Sequence, residues 1–577
     1  MTFPNINTAW GSLIIDECVR LGINYFCLAP GSRSSPLTIA VARHKKAKTM
    51  IHIDERGLAF HAVGYVTASK KPAVLIATSG TAVANFLPAI IEASKKKIPL
   101  VVMTADRPPE LRQTGSVQTI DQVGIFGKYA LWQCDMPCPD LAINPAMVLT
   151  TIDQAIYQAK RHQGVVHINC MFRDPLTPED KKVKWGDYFK SIRLWEESNK
   201  PYTEYVTAFE NIRIPETKRL AMRINNIKNG LIVVGKTSSE AERINVIQFA
   251  RRLGWPIVAD VASGLRLGDK SAEIIHYYDQ ILLNPKGVDN NIDGIIHLGG
   301  RMTSKRYYDF VKELKSLKEY ITVLKHALRN DPLHVVTLRI ESSIGNFCDS
   351  IGPLIKPRTQ GVLLKRLIKL NQSIDKKIDV FFKDEEHLGE INTARLVSQL
   401  IPTGTGLFLA NSMPIRDMDM YADYKGATVE VTGNRGASGI DGLIASAAGF
   451  AVGLERPVTA LLGDLASLHD LNSLAMLRFV EQPLVIIVLN NGGGGIFSFL
   501  PIAQHADVFE KFFATPHGFT FANAAAMFEL NYAQPQNTQQ FKKAYQEALQ
   551  STTATIIEVI TARESNVKMH RALQAVL

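Results

Sequence analysis

Long apolar runs, clustered cysteines and blocks of one charge are what this chain lacks. In its 577 residues no apolar stretch reaches the length of about 20 residues that a membrane-spanning helix needs. The opening segment, MTFPNINTAWGSLIIDECVR, has no basic start followed by an apolar core and does not read as an export signal. Its six cysteines lie far apart except for Cys134 and Cys138, with no second pair and no nearby histidine to complete a zinc site. Free thiols in a reducing compartment, and so a cytoplasmic protein without a membrane partner, are expected. The net charge of +10 and pI near 9.1 come from scattered lysines and arginines. The densest cluster, Lys95-Lys96-Lys97, closes a helix-like segment, where cations complement the helix dipole. A basic solvated surface is therefore expected in place of a nucleic-acid interface, and anionic small substrates suit the balance.

What is present is the ordinary material of a large globular enzyme: 46% apolar and 21% charged residues, in a chain long enough for three or four domains. Up to residue 185 the runs YFCLAP, MIHID, AVLIATSG, IPLVVMTAD and GVVHINC each lead into a polar or Gly-rich turn. Separated by helical patterns, they predict a parallel sheet with helices on both faces. The polar stretch KKVKWGDYFKSIRLWEESNKPYTEY interrupts this rhythm and reads as a linker. The rhythm returns over 207–355, pauses at the charged KLNQSIDKKIDVFFKDEEH, and resumes over 388–577 with GLFLANS, RPVTALLGD, QPLVIIVLNN and TATIIEVIT. The expected architecture is three α/β domains, 1–185, 207–355 and 388–577. In such sheets ligands bind beyond the carboxyl ends of the strands, so the residues following each strand are the informative ones.

The segment GDLASLHDLNSLAMLRFVEQPLVIIVLNNGGGGIF, from Gly463, reads as a strand end, a helix and a second strand. Parallel neighbours would bring Asp464 beside Asn491. Their oxygens are hard ligands suited to Mg²⁺, and the glycines let a carbonyl, that of Gly493, turn inward as a third. Helix-start amides after Asp464 are placed to receive a phosphate oxygen. Each half alone is ordinary: a strand-end Asp capping a helix, and an Asn-Gly turn. Together they resemble the Gly-Asp-Gly and Asn-Asn signature of thiamine-diphosphate enzymes, with Leu465 in place of the second glycine.

That resemblance implies a thiamine-diphosphate-binding fold, and a glutamate that bonds the cofactor's aminopyrimidine ring. Glu55, after MIHID, matches it; by itself it reads as a helix-start acid. In the enzyme class the glutamate and the diphosphate site come from different subunits, which implies a homodimer or a dimer of dimers with shared active sites. LAPGSRSSPLT, ATSGTAVANFLPAIIEA, TADRPPELRQTGSVQTIDQ, NRGASGIDG, TPHGFTF and the Gly463 segment closely resemble the 2-succinyl-5-enolpyruvyl-6-hydroxy-3-cyclohexene-1-carboxylate synthase family of menaquinone biosynthesis. Leu465 fits that family. The implied reaction is decarboxylation of 2-oxoglutarate and 1,4-addition of the succinyl carbanion equivalent to isochorismate, with thiamine diphosphate and Mg²⁺ or Mn²⁺. Both substrates are dicarboxylates, so basic groups are required.

Ser412, Arg416 and Arg435 match family positions at the carboxylate of the succinyl unit, where an arginine can bind in bidentate fashion. Ser32, Arg33, Arg107, Lys305 and Arg306 match positions around isochorismate, and Gln118 one near the reacting centre. Val117 replaces an asparagine common in the family. Ile440 matches an apolar support of the cofactor, and Ile496 and Phe497 are candidate walls of its thiazolium site. His469 reads as structural. The nearest alternative is another thiamine-diphosphate decarboxylase or an acetolactate-synthase-like carboligase. A nucleotide-binding role for VVGKTSSE is weaker, because neither a full GxxxxGK[ST] nor a GxGxxG pattern is present.

Overall fold

Each apolar run ending in a glycine or a polar residue forms a strand that delivers the next few residues to one end of a sheet. The computed structural model describes residues 3–577 apart from 180–182, 184, 208–211, 285, 286, 289, 290 and 384. The first sheet contains β1 (Tyr25–Leu28), β2 (Lys48–Ile51), β3 (Ala73–Ala77), β4 (Leu100–Asp106), β5 (Ala130–Met136) and β6 (Val165–Met171). The second has β7 (Gly230–Val234), β8 (Ile257–Ala259), β9 (Gly294–Leu298), β10 (Glu319–Leu324) and β11 (Leu338–Glu341). The third has β12 (Gly406–Leu409), β13 (Glu430–Thr432), β14 (Val458–Gly463), β15 (Leu484–Asn490), β16 (Asn531–Ala533) and β17 (Thr555–Ile560). Every pairing is parallel. The outer sheets run β2-β1-β3-β4-β6-β5 and β13-β12-β14-β15-β17-β16, the same order counted from each start.

Successive residues of a strand serve different cores, as helices on both faces require. In β15, Leu484, Ile486 and Val488 join one cluster while Val485, Ile487 and Leu489 join another. The first of these clusters also takes Leu75 and Ala77 of β3, so the two outer domains share one continuous core. At its centre helix Glu55–Ser69 lies against helix Leu443–Leu454. The approach is close because glycines face backbone: a Cβ on Gly64 would lie 2.0 Å from Ser446 O, and one on Gly449 1.9 Å from His61 O.

Four local features differ from the sequence expectations. Strand β2 stops at Ile51, and Asp54 caps the following helix by accepting from the N–H groups of Arg56 and Gly57. The expected linker packs onto the first domain: Trp195 Nε1 donates to Glu17 Oε2 at 2.5 Å, and the Arg20 guanidinium stacks 3.9 Å from the Trp195 ring. The charged stretch near 375 belongs to the amphipathic helix Val362–Phe382, which buries Leu364, Leu367 and Ile378. The helix expected after Asp464 breaks at Asp470 into Asp464–His469 and a tighter 3₁₀ run, Leu471–Phe479. Asp470 is fully buried and accepts from Ala445 N and Ser473 Oγ, bonds that tie this break to the central helix pair.

All six cysteines are free, and no helix among the described residues is long and apolar enough to cross a membrane. Because no space exists at the helix crossing, Gly449→Val is expected to cost more than about 2 kcal/mol through overpacking. A denaturation midpoint equal to wild type would show that the outer domains do not depend on this contact.

Candidate active site

Beyond the carboxyl ends of β12–β15 the chain gathers an acid, amides and two guanidiniums. Asp464 follows β14 and is 2% exposed. Its Oδ2 accepts from Asn491 N at 3.1 Å and Gly493 N at 2.9 Å, and its Oδ1 accepts from Leu465 N at 2.6 Å. The first amide expected to face a phosphate is thus taken by Asp464 itself. Burial raises the Asp464 carboxyl above its ordinary range, against these N–H groups and His517, whose Nε2 lies 3.3 Å from Oδ2.

Asn491 follows β15, and its side-chain oxygen is buried without a partner. Gly493 has φ +150°, and a Cβ there would lie 2.3 Å from Ala514 O, so only glycine fits this backbone. An orphaned amide oxygen, a carboxylate and a side-chain-free backbone fit a hard cation carrying a diphosphate. Ile496 and Phe497 stand on the next turn, half-buried, with the Phe497 and Phe513 rings 5.9 Å apart.

Ser412, after β12, has φ +75° and its carbonyl accepts from Arg416 Nη1. Arg435, after β13, donates from Nη1 to Asn411 Oδ1 at 2.8 Å. Burial, and then the charge of Arg435, depress the Arg416 pKa; burial also depresses that of Arg435. Neither guanidinium forms an ion pair among the described residues. The loop carrying Arg435 and Ile440 is held from all three domains. Glu92, 2% exposed, accepts from Gly436 N at 2.8 Å and Ala437 N at 2.6 Å, and Arg301 Nη2 donates to Arg435 O at 2.8 Å. Ile440 is 39% exposed at the end of this loop.

The first domain contributes a second group. Glu55 opens its helix, and its Oε2 accepts from Asn85 Nδ2 at 3.2 Å. Ser32 is exposed after β1, while Arg33 turns inward and donates to Phe172 O at 2.9 Å. Arg107, after β4, donates to Val117 O at 2.8 Å and so fixes the exposed turn in which Gln118 adopts φ +54°. A non-glycine residue in that region is a strained conformation of the kind found at functional sites. Lys305 is exposed at the start of helix Lys305–Glu313, whereas Arg306 pairs with Asp279. No hydrogen bond or ion pair among the described residues joins Ser32, Arg33, Arg107 or Gln118 to the Asp464 group. His469 instead bridges domains: its carbonyl accepts from Arg56 Nη2 at 2.8 Å.

Several polar residues were not singled out from the sequence. Glu390 accepts from Asn491 Nδ2 at 2.9 Å; burial and the nearby Asp417 push its carboxyl up to about 8. Asp417 is fully buried, with His570 Nε2 at 3.0 Å. Glu92 and His517 complete the set. Of these, Glu92 and His517 lie in stretches quoted for the family resemblance, ATSGTAVANFLPAIIEA and TPHGFTF.

Comparisons with known proteins identify the family. Models described as the N-terminal and C-terminal thiamine pyrophosphate binding domains of thiamine pyrophosphate enzymes match residues 9–125 and 422–559. One described as the middle domain of thiamine pyrophosphate matches 186–409. A 2-succinyl-5-enolpyruvyl-6-hydroxy-3-cyclohexene-1-carboxylate synthase of Rubrobacter xylanophilus is 43% identical, covering 99% of this chain and 98% of its own. The enzyme of that name from Prosthecochloris aestuarii is 41% identical, with the same coverage. The chain belongs to this synthase family. A crystal structure of benzoylformate decarboxylase from Polynucleobacter necessarius superposes with a TM-score of 0.72 at 16% identity, over 96% of this chain and 98% of its own, and shares the fold. A member of the synthase family is a thiamine-diphosphate enzyme, and the two outer sheets are its cofactor-binding domains.

Glu92→Ala removes the buried acceptor of the Gly436 and Ala437 N–H groups. It is expected to cost about 2 kcal/mol and to speed tryptic cleavage after Arg435. Unchanged cleavage there would mean that the loop is held without Glu92.

Proposed function

We propose that the protein decarboxylates 2-oxoglutarate and adds the resulting four-carbon unit in a 1,4 manner to isochorismate. The product is the compound after which the family is named. The observation that carries this reading is the Arg416–Arg435 pair. Two largely desolvated guanidiniums, neither in an ion pair among the described residues, stand beside an oxygen-lined cation seat and call for a carboxylate-bearing substrate. Thiamine diphosphate, when bound, supplies the electron sink for the decarboxylation.

The chain's own residues bind and orient. Asp464, Asn491 and the Gly493 carbonyl hold Mg²⁺ or Mn²⁺ with the diphosphate; Ile440, Ile496 and Phe497 shape the cofactor's apolar surroundings. Ser412, Arg416 and Arg435 bind the distal carboxylate of the donor. Ser32, Arg33, Arg107, Lys305 and Arg306 receive isochorismate, Arg306 by exchanging its Asp279 partner for a substrate carboxylate. Gln118 hydrogen-bonds near the reacting carbon. Glu55 holds a proton at the cofactor's pyrimidine nitrogen.

We further propose that Glu55 serves the cofactor of a second copy, making a homodimer or dimer of dimers. Ile51 at the end of β2, and Ile53 and Val117 beyond the same sheet ends as Glu55, are 59%, 79% and 78% exposed, and a partner chain would cover such apolar side chains. A cytoplasmic location is part of this proposal, supported by the free, mostly buried thiols.

Purified protein with thiamine diphosphate, Mg²⁺, 2-oxoglutarate and isochorismate is expected to release CO₂ and form the adduct. A preference for pyruvate over 2-oxoglutarate would overturn the assignment in favour of another carboligase. Glu55→Gln is expected to abolish most turnover while the cofactor still binds. Mixing subunits of Glu55→Gln and Asp464→Ala should restore activity, because a mixed dimer contains one intact site. Failure of two well-folded variants to complement would place Glu55 and Asp464 in the same chain's site.

A further inference from the structure

The amide of a ligating asparagine has two faces: its oxygen attracts a cation and its NH₂ repels it. Among the described residues no cluster of three His, Cys, Asp or Glu side chains forms a metal site. A seat built on Asp464 and Gly493 therefore depends on which face Asn491 presents. The residue that decides this lies behind it. Asn491 Nδ2 donates to Glu390 Oε1 at 2.9 Å, which leaves Oδ1 turned away from Glu390 and without a partner.

Glu390 is itself held. It is 2% exposed and opens helix Glu390–Leu400. The same Oε1 accepts from Thr561 Oγ1 at 3.4 Å, while Thr561 N donates to Asn490 O at 2.8 Å. Oε1 thus meets donors from two neighbouring strand ends and offers lone pairs. With the amide turned over, Asn491 Oδ1 would face an oxygen that already accepts from Thr561 Oγ1, and the bond that Nδ2 gives to Oε1 would be lost.

We propose that Glu390 is a positioning residue for the metal seat, keeping the Asn491 oxygen free for the cation. This rests on the reading of Asp464, Asn491 and Gly493 as ligands. Outer groups of this kind change metal affinity by about 10- to 100-fold when removed.

The test is Mn²⁺ affinity in the presence of thiamine diphosphate, read from the free-Mn²⁺ electron paramagnetic resonance signal on the full-length protein. Glu390→Ala is expected to weaken binding by about 10- to 100-fold. Glu390→Gln, whose amide oxygen can accept from Asn491 Nδ2, is expected to stay near wild type. Glu390→Met, which keeps the volume but offers no oxygen to Asn491 Nδ2, is expected to weaken binding as Glu390→Ala does, and it decides the matter if that variant does not fold. Wild-type affinity in either variant would remove the positioning role and leave the seat intact. Undiminished Mn²⁺ binding by Asp464→Ala would instead overturn the seat itself.

Discussion

The near-contact of two helix backbones, Glu55–Ser69 against Leu443–Leu454, sets the geometry of the whole chain. It joins the outer domains into one hydrophobic core and fixes where Glu55, at the start of the first helix, stands relative to the loops of the third sheet. Helices that pack backbone to backbone leave no layer of side chains to adapt. The small residues Gly64 and Gly449 therefore specify an interdomain position as firmly as large core residues specify an interior.

Against that rigid frame the candidate site concentrates groups that are expensive to bury. Asp464, Glu390, Asp417, Arg416 and Arg435 lie close together, yet the two guanidiniums are not spent on the acids. Asp464 and Glu390 accept from backbone N–H groups and an amide, Asp417 stands 3.0 Å from His570 Nε2, and the arginines donate to a carbonyl and an amide oxygen. Charges kept apart in this way remain available to a ligand, at a cost in stability that the surrounding core offsets.

Much of the fold was legible because parallel strands buried on both faces announce themselves as short apolar runs. The positions just after them, Asp464, Asn491, Arg107 and Arg435, are picked from their place at strand ends together with the family motifs they stand in. What escaped did so for physical reasons. Glu390 sits in ordinary helical sequence and Glu92 at the helical end of a quoted motif, and the importance of both comes from backbone N–H groups and an amide contributed by distant parts of the chain. The stretch KKVKWGDYFKSIRLWEESNKPYTEY reads as a linker because its polar residues outnumber its apolar ones, although Trp195, Ser198, Lys200 and Tyr202 tie it to Glu17 and Arg20. The break at Asp470 was hidden by helical spacing of the leucines around it, since periodicity cannot register a buried carboxylate that competes for backbone donors.

The matching strand order of the outer sheets carries a further consequence. The slots after β14 and β15, filled by Asp464 and Asn491, have as counterparts after β3 and β4 the residues Thr78 and Arg107. The slot after β13, which leads to Arg435, corresponds to the one after β2, which leads to Glu55. One scaffold is thus written twice with different chemistry at equivalent addresses. An arginine where its twin has an amide makes the first copy hostile to a divalent ion, so the cation seat proposed at Asp464 and Asn491 has no counterpart there although the fold occurs twice.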